Sequence, residues 1–115
     1  MKKINIVKKN EDFKRIIDLN NCIKNNAFII HYGSNNLKYY RFGISVSKKI
    51  GNAVTRNYYK RIIRNIVDNH KKLYSNGKDY IIILRKACIE MNFKEIEDSF
   101  LQLIGKIEKE RENEK

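Results

Sequence analysis

The sequence predicts an α+β fold: a single mixed β-sheet of about four strands with helices packed on it, in the order α-β-β-β-α-β-α. Three observations predict it. Residues 41–47 alternate apolar and polar side chains with the two-residue period of a half-buried strand. A helical pattern follows directly and leads to Ile81-Ile82-Ile83-Leu84, an apolar run of strand length. Apolar stripes at helical spacing lie near both ends of the chain. With 115 residues, 42% hydrophobic and 33% charged, the chain suits one domain over residues 1–115.

Each element has its own signal. Asn10 is the expected cap of a first helix, with Glu11 and Asp12 in the first turn and Phe13, Ile16 and Ile17 at helical spacing as far as about residue 20. Residues 27–32 read as a strand, Ser34-Asn35-Asn36 as a turn and residues 39–47 as a second strand, which predicts an antiparallel pair. In that second strand Phe42, Ile44 and Val46 share one face, while Arg41, Gly43, Ser45 and Ser47 share the other. One face is therefore core and the other small, polar and basic. Asn52 is the expected cap of a helix over residues 53–70, and Ser75-Asn76-Gly77 turns the chain into a strand over residues 79–85, apolar enough to be covered on both faces. Strand, helix and buried strand imply a parallel pairing. A last helix opens at Asn92, where Glu95 completes a capping box, and aligns Phe93, Ile96, Phe100, Leu103, Ile104 and Ile107 on one stripe. Residues 108–115 form a charged tail expected to fray. One further short strand is expected but has no signal that places it.

The net charge of +12 is unevenly spread. From Leu19 to Val67, 49 residues carry nine basic side chains and no carboxylate, whereas the last 26 residues hold eight acids. Compositional bias (fifteen Asn, no Pro or Trp) weakens the meaning of any single Lys, but it does not remove every acid from the middle of a chain. A polyanion partner is the simplest cause. No run approaches the roughly 18 to 20 apolar residues of a membrane span, and Met1-Lys2-Lys3-Ile4-Asn5 lacks the apolar stretch of a signal peptide, so a soluble, cytoplasmic protein with no membrane partner is expected. Cys22 and Cys88 stand 66 positions apart and make no redox or zinc motif with His31 or His70.

The helix over residues 53–70 carries the sharpest pattern. With Arg56 at zero and about 100° per residue, Lys60 lies near 40°, Arg64 near 80°, Asn57 near 100° and Arg61 near 140°. Tyr58, Ile62, Ile66, Tyr59 and Ile63 fall between about 200° and 340°, the side expected to pack on the sheet. Solvated helix faces usually mix signs, because like charges four residues apart repel by a few tenths of a kcal/mol. Here cations recur at that spacing with no acid between them, which suits phosphate as the neutralising partner. Lys48 and Lys49 extend the patch beside the Gly51-Asn52 turn, where free helix N–H groups favour an anion.

The string Arg41-Phe42-Gly43-Ile44-Ser45-Val46-Ser47-Lys48-Lys49-Ile50-Gly51-Asn52-Ala53-Val54-Thr55-Arg56-Asn57, continued by Lys60-Arg61 and Arg64, closely resembles the signature of the bacterial ribonuclease P protein subunit. Lys8-Lys9-Asn10-Glu11-Asp12-Phe13 and residues 79–85 add to the resemblance, which weakens after about residue 90. The resemblance implies a left-handed βαβ crossover, against the usual right-handed rule. It also implies an enzyme in which this chain is the non-catalytic subunit: a catalytic RNA subunit removes the 5′ leader of precursor tRNA by Mg²⁺-dependent hydrolysis, holding the Mg²⁺ mainly itself. Carried over by position, Lys48, Lys49, Asn52, Arg56, Asn57, Lys60, Arg61 and Arg64 contact the RNA subunit. Phe13, Ile17, His31, Arg41, Ser45 and Ser47 line a cleft for the leader, where aromatic faces stack on unpaired bases. Ile17 and His31 stand where the family often has aromatics, and Tyr58 replaces the second Arg of an Arg-Asn-Arg triplet. Apart from the resemblance, Phe13 and Ile17 equally fit a core stripe, and His31 an ordinary sheet position.

Two other functions are compatible with a basic chain of this size. A self-contained metal nuclease needs carboxylates or histidines converging on the basic surface, and the acid-free stretch argues against it. A ribosomal or ribosome-assembly protein shares the charge logic, and only the long signature favours ribonuclease P over it. RNA rather than DNA is the expected nucleic acid.

Overall fold

The computed structural model describes the backbone of residues 2–113 and the side chains of residues 2–109. In chain order the elements are α1 (Asn10–Asp18), β1 (Cys22–Lys24), β2 (Phe28–Ser34), β3 (Arg41–Ser45), α2 (Ala53–Asn69), β4 (Lys78–Leu84) and α3 (Phe93–Asn113). The four strands form one mixed sheet in the order β1-β2-β4-β3, and β1, the strand without a sequence signal, takes one edge. β4 pairs antiparallel with β2 and parallel with β3, as the strand-helix-strand reading required.

The antiparallel pairing expected between the second and third strands does not form, because β4 lies between them. The entry of β4 is visible in the turn itself. Asn35 N–H donates to the Gly77 carbonyl at 2.9 Å, and Gly77 N–H donates to the Tyr39 carbonyl at 3.2 Å. Gly77 can take this place because its φ is +81°, a left-handed conformation open to glycine.

At the start of α1 the cap position is Lys9, not Asn10, and no side chain caps it. The Lys9 carbonyl receives the first N–H groups, those of Asp12 and Phe13, and the acids Glu11 and Asp12 complement the positive helix end. The other two caps are as expected. Asn52 Oδ1 accepts from Thr55 N–H at 3.0 Å, and Asn92 with Glu95 forms the reciprocal pair of a capping box.

One face of the sheet carries the main core. Phe28, Ile30, Phe42, Tyr80 and Ile82 meet Ile63, Ile66 and Val67 of α2 and Phe100, Leu103 and Ile104 of α3. Phe42 and Tyr80 stack with centroids 4.7 Å apart. The opposite face has a smaller core of Val7, Ile16 and Ile81, with Phe13 and Ile83 packed against it. Strand β4 is thus covered on both faces, which explains its unbroken apolar middle. Phe93, expected on the buried stripe of α3, is 45% exposed, because the first turn lies outside a core whose first α3 residue is Ile96.

α3 continues to Asn113 and so includes the first part of the charged tail; residues 114 and 115 lie outside the described residues. The Glu108 carboxylate accepts from the Tyr80 hydroxyl at 2.6 Å and from the buried Ser75 hydroxyl. Burial first, and this carboxylate second, push the Tyr80 phenol well above its ordinary value, so it stays a donor. Glu108→Ala would leave a buried hydroxyl short of its acceptor and is expected to cost about 2 kcal/mol in urea denaturation.

Candidate nucleic-acid interface

The side of the sheet that faces α1 is defined by register. Three rows of side chains cross it: Arg41, Asp79 and Gly33; then Gly43, Ile81, His31 and Cys22; then Ser45, Ile83, Ile29 and Lys24. α1 lies over the first row and part of the second. It can approach because two positions lack a side chain: a Cβ at Gly43 would sit 2.6 Å from Phe13 Cζ, and one at Gly33 would collide with Leu19. The third row is left partly uncovered, with Ser45, Ile83 and Ile29 half-buried and Lys24, Ser47 and Arg85 exposed. The result is a shallow cleft with α1 as its wall and an apolar floor between cations.

The predicted cleft residues are placed as follows. Phe13 lies on Gly43, and Ile17, one turn later on the same side of α1, is 38% exposed. His31 and Ser45 stand on the floor, and Ser47 follows at its margin. Arg41 differs from expectation. Its guanidinium grips the buried Asp79 through Nε and Nη2, at 2.9 and 2.7 Å, and reaches Asp12 at 3.4 Å, so its charge is neutralised beneath α1 rather than offered to the cleft. Arg15 Nη2 joins the same carboxylate at 3.0 Å. Sequence reading did not single out Lys24, Ile29 and Ile83, which the register places in one row with Ser45, nor Arg85, which follows β4.

His31 Nδ1 is buried and has no hydrogen-bond partner among the described residues. Burial lowers the imidazole pKa from its ordinary 6.5. The unfolded chain therefore takes up the proton first as pH falls. Stability carried by neutral His31 is complete above pH 6.5 and is lost as pH drops towards the folded value. An NMR titration of the imidazole is expected to give a midpoint below 6.5, and a midpoint above it would contradict this placement.

On α2 the buried residues are Ile66, Tyr59, Ile63 and Val67, an arc from about 280° through zero to 20°. The packed side is thus turned about 60° from expectation. Tyr58, expected against the sheet, is 51% exposed, whereas Arg56 and Lys60 lie half-buried at the rim. Asn57, Arg61 and Arg64 point to solvent, as do Lys48, Lys49 and Asn52 at the helix start. Asn52 uses its side-chain oxygen for the cap, leaving its NH₂ group outward. The ion pairs among the described residues, Arg15–Asp79, Arg41–Asp79, Arg41–Asp12 and His70–Glu97, include none of the predicted RNA-facing cations. Six cations at one helix start and face, none in an ion pair among the described residues, make this the basic side of α2.

The cleft and the helix face meet. Lys60 and Arg64 line a hollow of about 110 Å³ together with Phe13, Gly43, Ile44 and Val7. Among the described residues no three His, Cys, Asp or Glu side chains converge to hold a metal ion. Beside the cleft, Asp79 is held by Arg15 and Arg41 and Asp12 is within 3.4 Å of Arg41, a donor set that does not fit a protein-held Mg²⁺. No described helix is long and apolar enough to cross a membrane.

Comparison with known proteins identifies the family and the fold. Residues 1–108 match the family described as Ribonuclease P. The chain is 43% identical over 108 residues to the ribonuclease P protein component of Mycoplasma mycoides, covering 93% of this chain and 99% of that one. Among solved structures it is similar to the RNase P protein of Staphylococcus aureus (TM-score 0.81, 37% identity, 88% of this chain and 93% of that one). It is also similar to that of Thermotoga maritima (TM-score 0.79, 28% identity, 85% and 93%).

Proposed function

The chain belongs to the ribonuclease P protein family, components of an RNA-processing endonuclease, and from that premise we propose how its one RNA-binding domain divides the work. The exposed side of α2, with Lys48 and Lys49, binds the catalytic RNA subunit. The cleft under α1 holds the 5′ leader of precursor tRNA, with Phe13 and His31 offering ring faces to unpaired bases. The bond is broken on the RNA, which holds the Mg²⁺; this chain supplies affinity and position. The observation that carries the reading is the contrast in charge: Arg15 and Arg41 are paired with acids, whereas the α2 cations form no ion pair among the described residues.

Reconstitution tests it. Precursor tRNA with Mg²⁺ is expected to be cleaved at physiological salt only when protein and a bacterial ribonuclease P RNA are both present. Robust cleavage by the protein alone would place the chemistry on this chain instead. Phe13→Ala is expected to weaken binding of leader-bearing substrate by roughly tenfold, as for loss of one stacked base, and to leave mature tRNA unaffected. Equal losses on both substrates would refute the cleft.

A further inference from the structure

Phosphate contacts leave one feature of α2 unused. Tyr58 is a large ring, 51% exposed, on a helix whose outward side, apart from Val54 one turn before it, is mainly cationic and polar. The ring is braced rather than loose. It packs edge-to-face with Tyr59, centroids 5.2 Å apart at 77°, and the Tyr59 hydroxyl donates to the Ile89 carbonyl at 3.4 Å. With Arg61, Ile62 and Asn65, which follow it at helical spacing, Tyr58 lines an open hollow of about 210 Å³.

The composition of this hollow selects its occupant. Protein interfaces bury apolar cores from which charge is depleted. Here the apolar part is one ring and one Ile, bordered by Arg61 and lying within the stretch that has no carboxylate. A ligand that suits both halves is a polyanion carrying flat apolar groups. We infer that Tyr58, Ile62, Arg61 and Asn65 form a stacking site for one unpaired nucleobase of the RNA bound by α2. The base lies on the Tyr58 ring and Ile62, Arg61 meets the adjoining phosphate, and the Asn65 amide offers a donor and an acceptor to the base edge. The site rests on the reading of α2 as an RNA-binding face. A stack on Tyr58, unlike a phosphate contact, adds affinity that salt does not screen.

The salt dependence of binding separates the two. Affinity of the full-length protein for a bacterial ribonuclease P RNA is measured across a salt series for wild type, Tyr58→Phe, Tyr58→Ala and Tyr58→Arg. Tyr58→Ala is expected to bind about tenfold more weakly at every salt concentration with an unchanged slope, and Tyr58→Phe to stay within about twofold of wild type. Tyr58→Arg is expected to bind well only at low salt, with a slope steeper by about one. Chemical probing should show one unpaired nucleotide protected by wild type and reactive with Tyr58→Ala. Wild-type affinity for Tyr58→Ala, or a loss accompanied by a smaller slope, overturns the site. Should Arg61→Ala and Arg64→Ala also bind normally, it is the α2 reading that fails; should they weaken binding while Tyr58→Ala does not, the stacking site alone fails. Thermal melts of each variant check the fold, and Tyr58→Phe keeps the brace against Tyr59 if Tyr58→Ala loses it.

Discussion

Asp79→Ala is expected to cost about 3–5 kcal/mol of folding stability, the range for breaking a buried ion pair by removing one partner. Asp79 is fully buried and accepts from Arg41 Nε and Nη2, Arg15 Nη2 and Asn35 Nδ2, all within 3.0 Å. Without it Arg41, whose side chain is only 16% exposed, keeps a charge that water hardly reaches. Asp12 cannot compensate. Its 3.4 Å contact with Arg41 is partly exposed, the class of pair that contributes under about 1 kcal/mol. Against a total stability of roughly 5–15 kcal/mol, the loss is a large fraction.

The damage should also be local. Asp79 ties together α1 through Arg15, the turn through Asn35 and the start of β3 through Arg41. Hydrogen exchange of the α1 amides is therefore expected to accelerate more than that of α3, and leader affinity to fall with it, since α1 is the cleft wall. Asp79→Asn keeps a hydrogen-bonding group but not the charge, and should fall between wild type and Asp79→Ala. A urea midpoint unchanged in Asp79→Ala would show that the network contributes no stability.

The sequence made this carboxylate visible only as the first residue of an apolar strand. Local periodicity determined the helices, the two faces of β3 and the double burial of β4, because each depends on neighbours along the chain. Strand order did not follow. The six residues 35–40 can close a hairpin, but they can equally bridge the roughly 10 Å across an intervening strand. Their turn residues fit both outcomes, and what distinguishes them is Gly77, forty residues downstream. The half of the cleft floor made by Ile29, Ile83, Lys24 and Arg85 was hidden for the same reason. Ile83 links Ile29 to Ser45 only once β4 is placed between β2 and β3.

The cationic helix was legible in composition but not in rotation. Counting 100° per residue ranked Arg56, Lys60, Arg64 and Arg61 correctly around the axis, yet the packed arc is set by which residues meet the sheet and α3. Val67, one residue beyond the apolar set used for the count, is fully buried and moves that arc towards Arg56. Arg56, its Nε buried and without a partner among the described residues, is therefore a poor probe of RNA contact, because its removal also disturbs packing.

Arg61 and Arg64 are the clean probes, since both are exposed and neither forms an ion pair among the described residues. Arg61→Ala with Arg64→Ala is expected to weaken binding to a ribonuclease P RNA about 100-fold at low salt. Each charge-assisted contact to phosphate contributes about 1.5 kcal/mol, and together they make roughly 3 kcal/mol. The slope of log affinity against log salt should fall by nearly two units, one for each phosphate released, so the difference from wild type narrows as salt rises. Folding stability should move in the other direction. Exposed changes of this kind stay within about 0.5 kcal/mol, and losing Arg64 relieves its repulsion with Lys60 one turn away. A variant that binds RNA poorly while melting no earlier than wild type separates the role of this face in recognition from any role in folding. Unchanged binding would mean that the RNA subunit meets a different surface.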